Sequence, residues 1–189
     1  QNCRWENVLI GLSEPGHEYV TFWDLGKHTN TIGRNVTVGI VLDVTNPEKR
    51  FIRWFEAYEL ASYKFTMDRV KALTELYPGT HIVESNAMGE AMVDIITGEQ
   101  LESAEGTNDV PPAVIPHATT SKSKPLMIQK LVDDTESGAL GWPATDELAV
   151  LESQLRVYTW RDQKIPQDYV IALAGANYYS DAGGSGAIY

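Results

Sequence analysis

Asp24, Glu84 and Asp168 are the residues of this 189-residue chain whose types and settings could do chemistry together. Asp24 closes the apolar run Tyr19-Val20-Thr21-Phe22-Trp23, and Glu84 closes the run His81-Ile82-Val83. Asp168 opens the apolar stretch Tyr169-Val170-Ile171-Ala172-Leu173-Ala174. Carboxylates at strand ends and at a helix start point into the crevice beside a sheet, where α/β proteins place ligands. Three carboxylates can gather hard divalent cations, which is the chemistry of metal-dependent phosphodiester hydrolysis. Each position also has a plainer reading. Asp24 could make an Asx-turn with Gly26 or Lys27. Glu84 and Asp168 could simply favour the positive ends of helices. It is the joint occurrence in three suitable settings that points to a site.

Competing chemistries find little support. Gly11 and Gly16 have phosphate-loop spacing, but His17-Glu18 stands where Lys-Ser/Thr is required. The four His residues and Cys3 are scattered, without zinc-ligand spacing. No Ser lies in a Gly-x-Ser-x-Gly elbow. Asn35-Val36-Thr37 is a glycosylation pattern inside an expected strand and carries no weight. The lone Cys3 cannot form an internal disulfide, which fits a reducing compartment. A first residue of Gln1 suggests a processed chain or an excised domain. No signal peptide and no membrane-spanning run is visible. The formal charge of −11 opposes a nucleic-acid partner, because phosphate binding wants a positive footprint. Clustered carboxylates awaiting cations account for part of it.

The elements that must position these acids can be read from pattern. Residues 1–18 form a docking segment through Trp5, Val8, Leu9 and Leu12, ending in the turn Glu14-Pro15-Gly16-His17. Residues 19–25, 35–44 and 50–60 read as strands, the last two as an antiparallel hairpin around Thr45-Asn46-Pro47-Glu48. Thr66 caps a helix over 67–77, with Val70, Leu73 and Leu76 inward. A buried strand over 80–84 leads to a helix over 87–97, with Met88, Ala91, Met92 and Ile95 inward, that ends at Gly98. Gly89 permits a close backbone approach there, and Asn86 could cap the helix. Residues 99–112 read as an acidic loop, and Val114-Ile115-Pro116 as an edge strand. Helices follow over 123–136, 145–158 and 167–179, with a short strand near 139–143. The first of these helices turns Leu126, Ile128, Leu131 and Val132 inward. The second carries Leu148, Leu151, Leu155 and Tyr158 on one stripe. Small residues let the third pack close to a sheet. Residues 181–189 read as a mobile tail. The fold class is α/β: one domain over residues 1–189, a mixed central sheet flanked by helices, in the order of the ribonuclease-H-like architecture.

Three segments carry a family resemblance. They are Phe22-Trp23-Asp24-Leu25-Gly26-Lys27 with the strand Asn35 to Asp43, Ile82-Val83-Glu84-Ser85-Asn86-Ala87-Met88-Gly89-Glu90-Ala91, and Gln167-Asp168-Tyr169-Val170-Ile171-Ala172-Leu173-Ala174-Gly175-Ala176. In this order they resemble the nuclease domain of the large terminase subunit of tailed bacteriophages. The resemblance spans about residues 19–180. It implies a metal-dependent endonuclease that cuts double-stranded DNA during viral genome packaging. Two Mg²⁺ or Mn²⁺ ions would be held by Asp24, Glu84 and Asp168, with Asp24 bridging them. Lys27 would neutralise the scissile phosphate, and Lys122, Lys124 and His117 would contact the DNA backbone. The implied partners are an N-terminal ATPase domain absent from this chain, the portal and the small terminase subunit, in the host cell cytoplasm and away from membranes. Where some relatives carry further acids, this chain has Asn35 and Gln167. Two alternatives share the same residues: another ribonuclease-H-like nuclease of the junction-resolvase or transposase kind, and a non-catalytic acidic interaction domain.

Overall fold

Three consecutive runs rich in β-branched and aromatic residues build the centre of the sheet. They are β2 (Tyr19–Asp24), β3 (Val36–Asp43) and β4 (Arg50–Glu59), and β3 pairs antiparallel with both others. The computed structural model describes residues 4–5, 11–26, 36–59, 61–85, 87–106, 111–159 and 167–182. On the far side of β2 lie β5 (Gly79–Glu84) and β6 (Ala113–His117), both parallel to it. On the far side of β4, β7 (Leu140–Pro143) runs parallel, and two-residue β1 (Arg4–Trp5) pairs with β7. The order is β1-β7-β4-β3-β2-β5-β6. The sheet is thus mixed, and the strand carrying Pro116 is at its edge, where a missing N–H is tolerated.

Strand alternation divides the core into two. Val20, Phe22, Ile40, Leu42 and Ile82 face α3 (Ser123–Ser137), α4 (Ala149–Val157) and α5 (Asp168–Tyr179). Tyr19, Trp23, Val41 and Val83 face α1 (Tyr63–Leu76) and α2 (Ala87–Ala104). α5 is apolar all round and every residue from Val170 to Asn177 is buried, as expected of a helix enclosed by sheet and helices. Gly175 allows that seating. A Cβ there would lie 2.4 Å from the Phe22 ring.

Several elements differ from the pattern reading. α1 begins a turn earlier than expected: Ser62 caps it by accepting from the Phe65 N–H, and Thr66 is buried within the helix. α2 continues through Gly98 to Ala104, taking up part of the expected acidic loop. Gly98 has open space around it, so the glycine costs propensity without breaking the helix. The turn after it comes at Gly106, whose φ of +84° suits glycine. The inward face of α2 is Met92, Val93 and Ile96, while Ala91 and Ile95 are exposed. In α3, Met127, Ile128 and Leu131 face inward and Leu126 and Val132 outward. Leu76 of α1 is likewise exposed.

Among the described residues, polar contacts tie the segment before β2 to the fold. Leu12 is 70% exposed, whereas its carbonyl accepts from Arg53. His17 Nδ1 meets the buried Asp43 carboxylate at 2.6 Å, and Tyr77 donates to the Gly11 carbonyl at 2.7 Å. Val8 and Leu9 lie outside the described residues. So do residues 183–189 of the expected tail, but Asp181 is anchored, pairing with Arg50 at 3.2 Å and Lys130 at 2.8 Å. Among the described residues, no helix is long and apolar enough to cross a membrane.

Candidate active site

The three acids are placed by two elementary facts, strand parity and parallel pairing. Asp24 follows Val20 and Phe22 on the α5 side of β2. Glu84 follows Ile82 on the same side of β5. β2 and β5 are parallel, with Phe22 opposite Ile82 and Trp23 opposite Val83, so Asp24 and Glu84 end adjacent strands on one face. Glu84 is the neighbouring group that acts most strongly on the Asp24 carboxyl.

α5 brings the third acid. Its first turn is fixed from α4: the buried Gln154 side chain accepts from the Tyr169 N–H at 3.1 Å. The Gln167 carbonyl accepts from Ile171 N–H at 2.9 Å, which sets the start of the helix at Asp168. Asp168 acts electrostatically on Asp24 and is itself acted on by Glu84.

Gly89 sets the backbone beneath Glu84. A Cβ at Gly89 would lie 1.9 Å from the Glu84 carbonyl oxygen and 3.4 Å from Leu25 Cδ1. Only a residue without a side chain lets the first turn of α2 rest on the end of β5. The expectation of close approach at Gly89 therefore holds. Asn86 lies outside the described residues.

Charge is concentrated at this point. Burial holds the Asp24 carboxyl well above the usual carboxylate range, and the nearby Glu84 and Asp168 raise it further. Asp168 is raised too, first by burial and then by Glu84, against the opposing pull of its own backbone N–H. Lys124 is a cation that lowers both. It extends from the first turn of α3, and its Nζ donates to Gln167 Oε1 at 3.0 Å.

The other expected site residues are distributed differently. Lys27 and Asn35 lie outside the described residues. Lys122 is exposed at the start of α3. His117 is buried in the fold rather than exposed. It is 8% exposed, registers opposite Glu84 on β6, packs edge-on against Phe22, and binds the Tyr179 hydroxyl through Nδ1 at 2.7 Å. Burial lowers its pKa, with Glu84 opposing, and Nε2 has no hydrogen-bond partner among the described residues. A parallel edge strand next to β5 would have placed His117 beside Glu84 from register alone. Gln154 and the Lys124–Gln167 contact carried no such signal, because each joins elements remote in sequence.

Among the described residues, no three His, Cys, Asp or Glu side chains are already closed into a metal-holding group. The donor set nevertheless fits a hard divalent cation. It offers carboxylate oxygens, Asp24 buried and Glu84 and Asp168 half-buried, with their mutual repulsion offset by one lysine. Without a cation, burial and the neighbouring acids favour the protonated form of Asp24.

Asp24 and Glu84 thus end two parallel neighbours of a mixed sheet, and Asp168 opens a helix packed against it. No protein-family model matches the chain, and no curated protein sequence matches it. Solved structures do match. The large terminase nuclease domain of Thermus phage P74-26 aligns with a TM-score of 0.65 at 22% identity, over 100% of this chain and 94% of that one. The large terminase nuclease of thermophilic phage G20c, with bound zinc, gives 0.62 at 24% identity over 92% of each chain. The human cytomegalovirus terminase nuclease domain, soaked with Mn, gives 0.54 at 15% identity over 86% of this chain and 82% of that one. The chain has the ribonuclease-H-like fold of the large terminase nuclease domains.

Proposed function

We propose that the chain is a metal-dependent endonuclease that cuts double-stranded DNA during viral genome packaging. What supports this reading is that Asp24 and Glu84 end adjacent parallel strands on one face, with Asp168 at the start of α5 near enough to act electrostatically on Asp24. Structures of the same fold have been determined with magnesium, zinc and cobalt bound and after an Mn soak. Two Mg²⁺ or Mn²⁺ ions would supply Lewis acidity toward the phosphate and a water made nucleophilic at neutral pH.

The residues of this chain would divide the work. Asp24 would hold both ions, with Glu84 and Asp168 each holding one. Burial keeps bulk water from screening these charges. His117, neutral and fixed by Tyr179, would brace the Glu84 end of the site rather than contact phosphate. Lys122, exposed at the start of α3, and Lys27 would meet the DNA backbone. An acidic chain with few cations facing phosphate would bind DNA weakly and lose it as salt rises. That fits a domain that relies on an ATPase domain, the portal and the small terminase subunit for its grip, in the host cytoplasm.

Nicking of supercoiled plasmid tests the reading. Mn²⁺ should convert supercoiled to open-circular and linear forms, Mg²⁺ should do so more slowly, and EDTA should stop cleavage entirely. Cleavage that survives EDTA would contradict the proposal. Parallel reactions on linear duplex, a four-way junction and an RNA–DNA hybrid separate the terminase reading from a resolvase-like one. Preference for the junction would replace the first by the second, and no cleavage of any substrate would leave an acidic interaction domain.

A further inference from the structure

Lys124 does something no surface phosphate contact would do. Its Nζ is directed at Gln167 Oε1, 3.0 Å away, immediately before Asp168 in the chain. Its backbone is fixed as well. The Lys124 N–H donates to the Thr120 carbonyl at 3.0 Å, and Thr120 Oγ1 accepts from the N–H groups of Lys122 and Ser123. A lysine on so constrained a turn, tied to a neutral amide next to Asp168 and acting on both Asp24 and Asp168, is a charge placed at the acidic cluster. Gln167 matters because it is neutral: a carboxylate there would bind the ammonium more tightly and add a fourth negative group.

We propose that Lys124 is a tethered counter-cation, which the Gln167 amide holds over Asp24 and Asp168 in the metal-free chain and which must yield when a divalent ion arrives. This rests on the metal-site reading above. The same carboxylate oxygens cannot serve the ammonium and the ion fully at once. Lys124 therefore lowers the repulsion of the empty site and opposes loading. Once the ion is in place, the ammonium is free to turn outward, toward a phosphate. Bound DNA would then favour the loaded state by giving Lys124 a better partner than Gln167.

The test measures Mn²⁺ binding by calorimetry and thermal unfolding in EDTA and in Mn²⁺, with no DNA present. It uses the full chain and the variants Lys124→Met, Lys124→Arg and Gln167→Ala. Lys124→Met keeps the length of the stem and removes the charge. It should bind Mn²⁺ about three- to tenfold more tightly, the scale of one partly screened charge at close range. It should melt below the parent in EDTA and at or above it in Mn²⁺. A purely structural lysine would lower both melting points together. Lys124→Arg should restore parental affinity and melting. Gln167→Ala, which releases the ammonium but keeps it, should tighten Mn²⁺ binding by a smaller factor and decides the matter if Lys124→Met does not fold. Unchanged or weaker Mn²⁺ binding in both Lys124→Met and Gln167→Ala would overturn the proposal. Absence of any Asp24-dependent Mn²⁺ binding in the parent would overturn the metal site itself, and Lys124's role with it.

Discussion

Asp24→Asn should abolish DNA cleavage while leaving the metal-free protein as stable as the parent at neutral pH, or more so. Asparagine matches the size of the side chain but cannot carry the charge that would hold both ions. Metal activation supplies several kcal/mol of barrier lowering, so the rate should fall by on the order of 10³-fold or more. The stability effect follows from linkage. The folded-state pKa of Asp24 is raised well above its ordinary 3.8 by burial and by Glu84. A group shifted upward contributes stability below the unfolded value and loses it as pH rises through the folded one. At neutral pH the parent therefore carries repulsion that Asn lacks, and the difference should fade as pH falls toward 3.8. Excess Mn²⁺ should reverse the order, because binding to the folded state stabilises only a chain that binds. Asp94→Asn, exposed on α2 away from the site, should change neither quantity. Plasmid cleavage and melting curves across pH, with EDTA or Mn²⁺, read all of this. Cleavage at the parental rate by Asp24→Asn would reduce Asp24 to a turn residue.

Gly89→Ala should be the most damaging single-methyl change in α2. The added Cβ would sit 1.9 Å from the Glu84 carbonyl oxygen, a backbone atom that cannot swing aside. Either the first turn of α2 lifts or the end of β5 moves, and both displace Glu84. A cost of about 3 kcal/mol is expected for such overpacking. That corresponds to a melting point lower by about 6–12 °C in a chain of this size. Mn²⁺ affinity should fall with it, since Glu84 no longer faces Asp24. The same substitution at Gly98, in the same helix, meets nothing within 4 Å. Gly98→Ala should raise stability by about 0.5–1 kcal/mol through helix propensity alone. Equal effects at the two positions in thermal melts would mean that the close contact at Glu84 does not exist.

The contrast between these glycines also shows what was readable in the chain. Both stand in a helical pattern, and pattern alone would end the helix at Gly98. What decides is the space around each, which is a tertiary fact. The strands were legible because their signals are local: alternating β-branched and aromatic residues between clear turns gave β2, β3 and β4 nearly to the residue. Parity then put Asp24 with Phe22, and Glu84 with Ile82, and parallel pairing brought the two acids side by side. Helix faces were less legible. Leu126 and Val132 look as apolar as Met127 and Ile128, yet only the latter pair faces inward. Those choices depend on where α3 crosses α5. The burial of His117 was not legible for a related reason: His occurs at surfaces as well as in cores, and its place opposite Glu84 is a matter of register. The Lys124–Gln167 contact joins residues 43 positions apart and leaves no periodic trace.

Anomalous diffraction from a crystal soaked in Mn²⁺ tests the central claim most directly, because it locates the ion without reference to activity. Anomalous density is expected between the Asp24, Glu84 and Asp168 carboxylates, in one peak or in two about 3.5–4 Å apart, and none there in an Asp24→Asn crystal. Clear density elsewhere on the chain, with these three side chains unliganded at an Mn²⁺ concentration that supports cleavage, would contradict it.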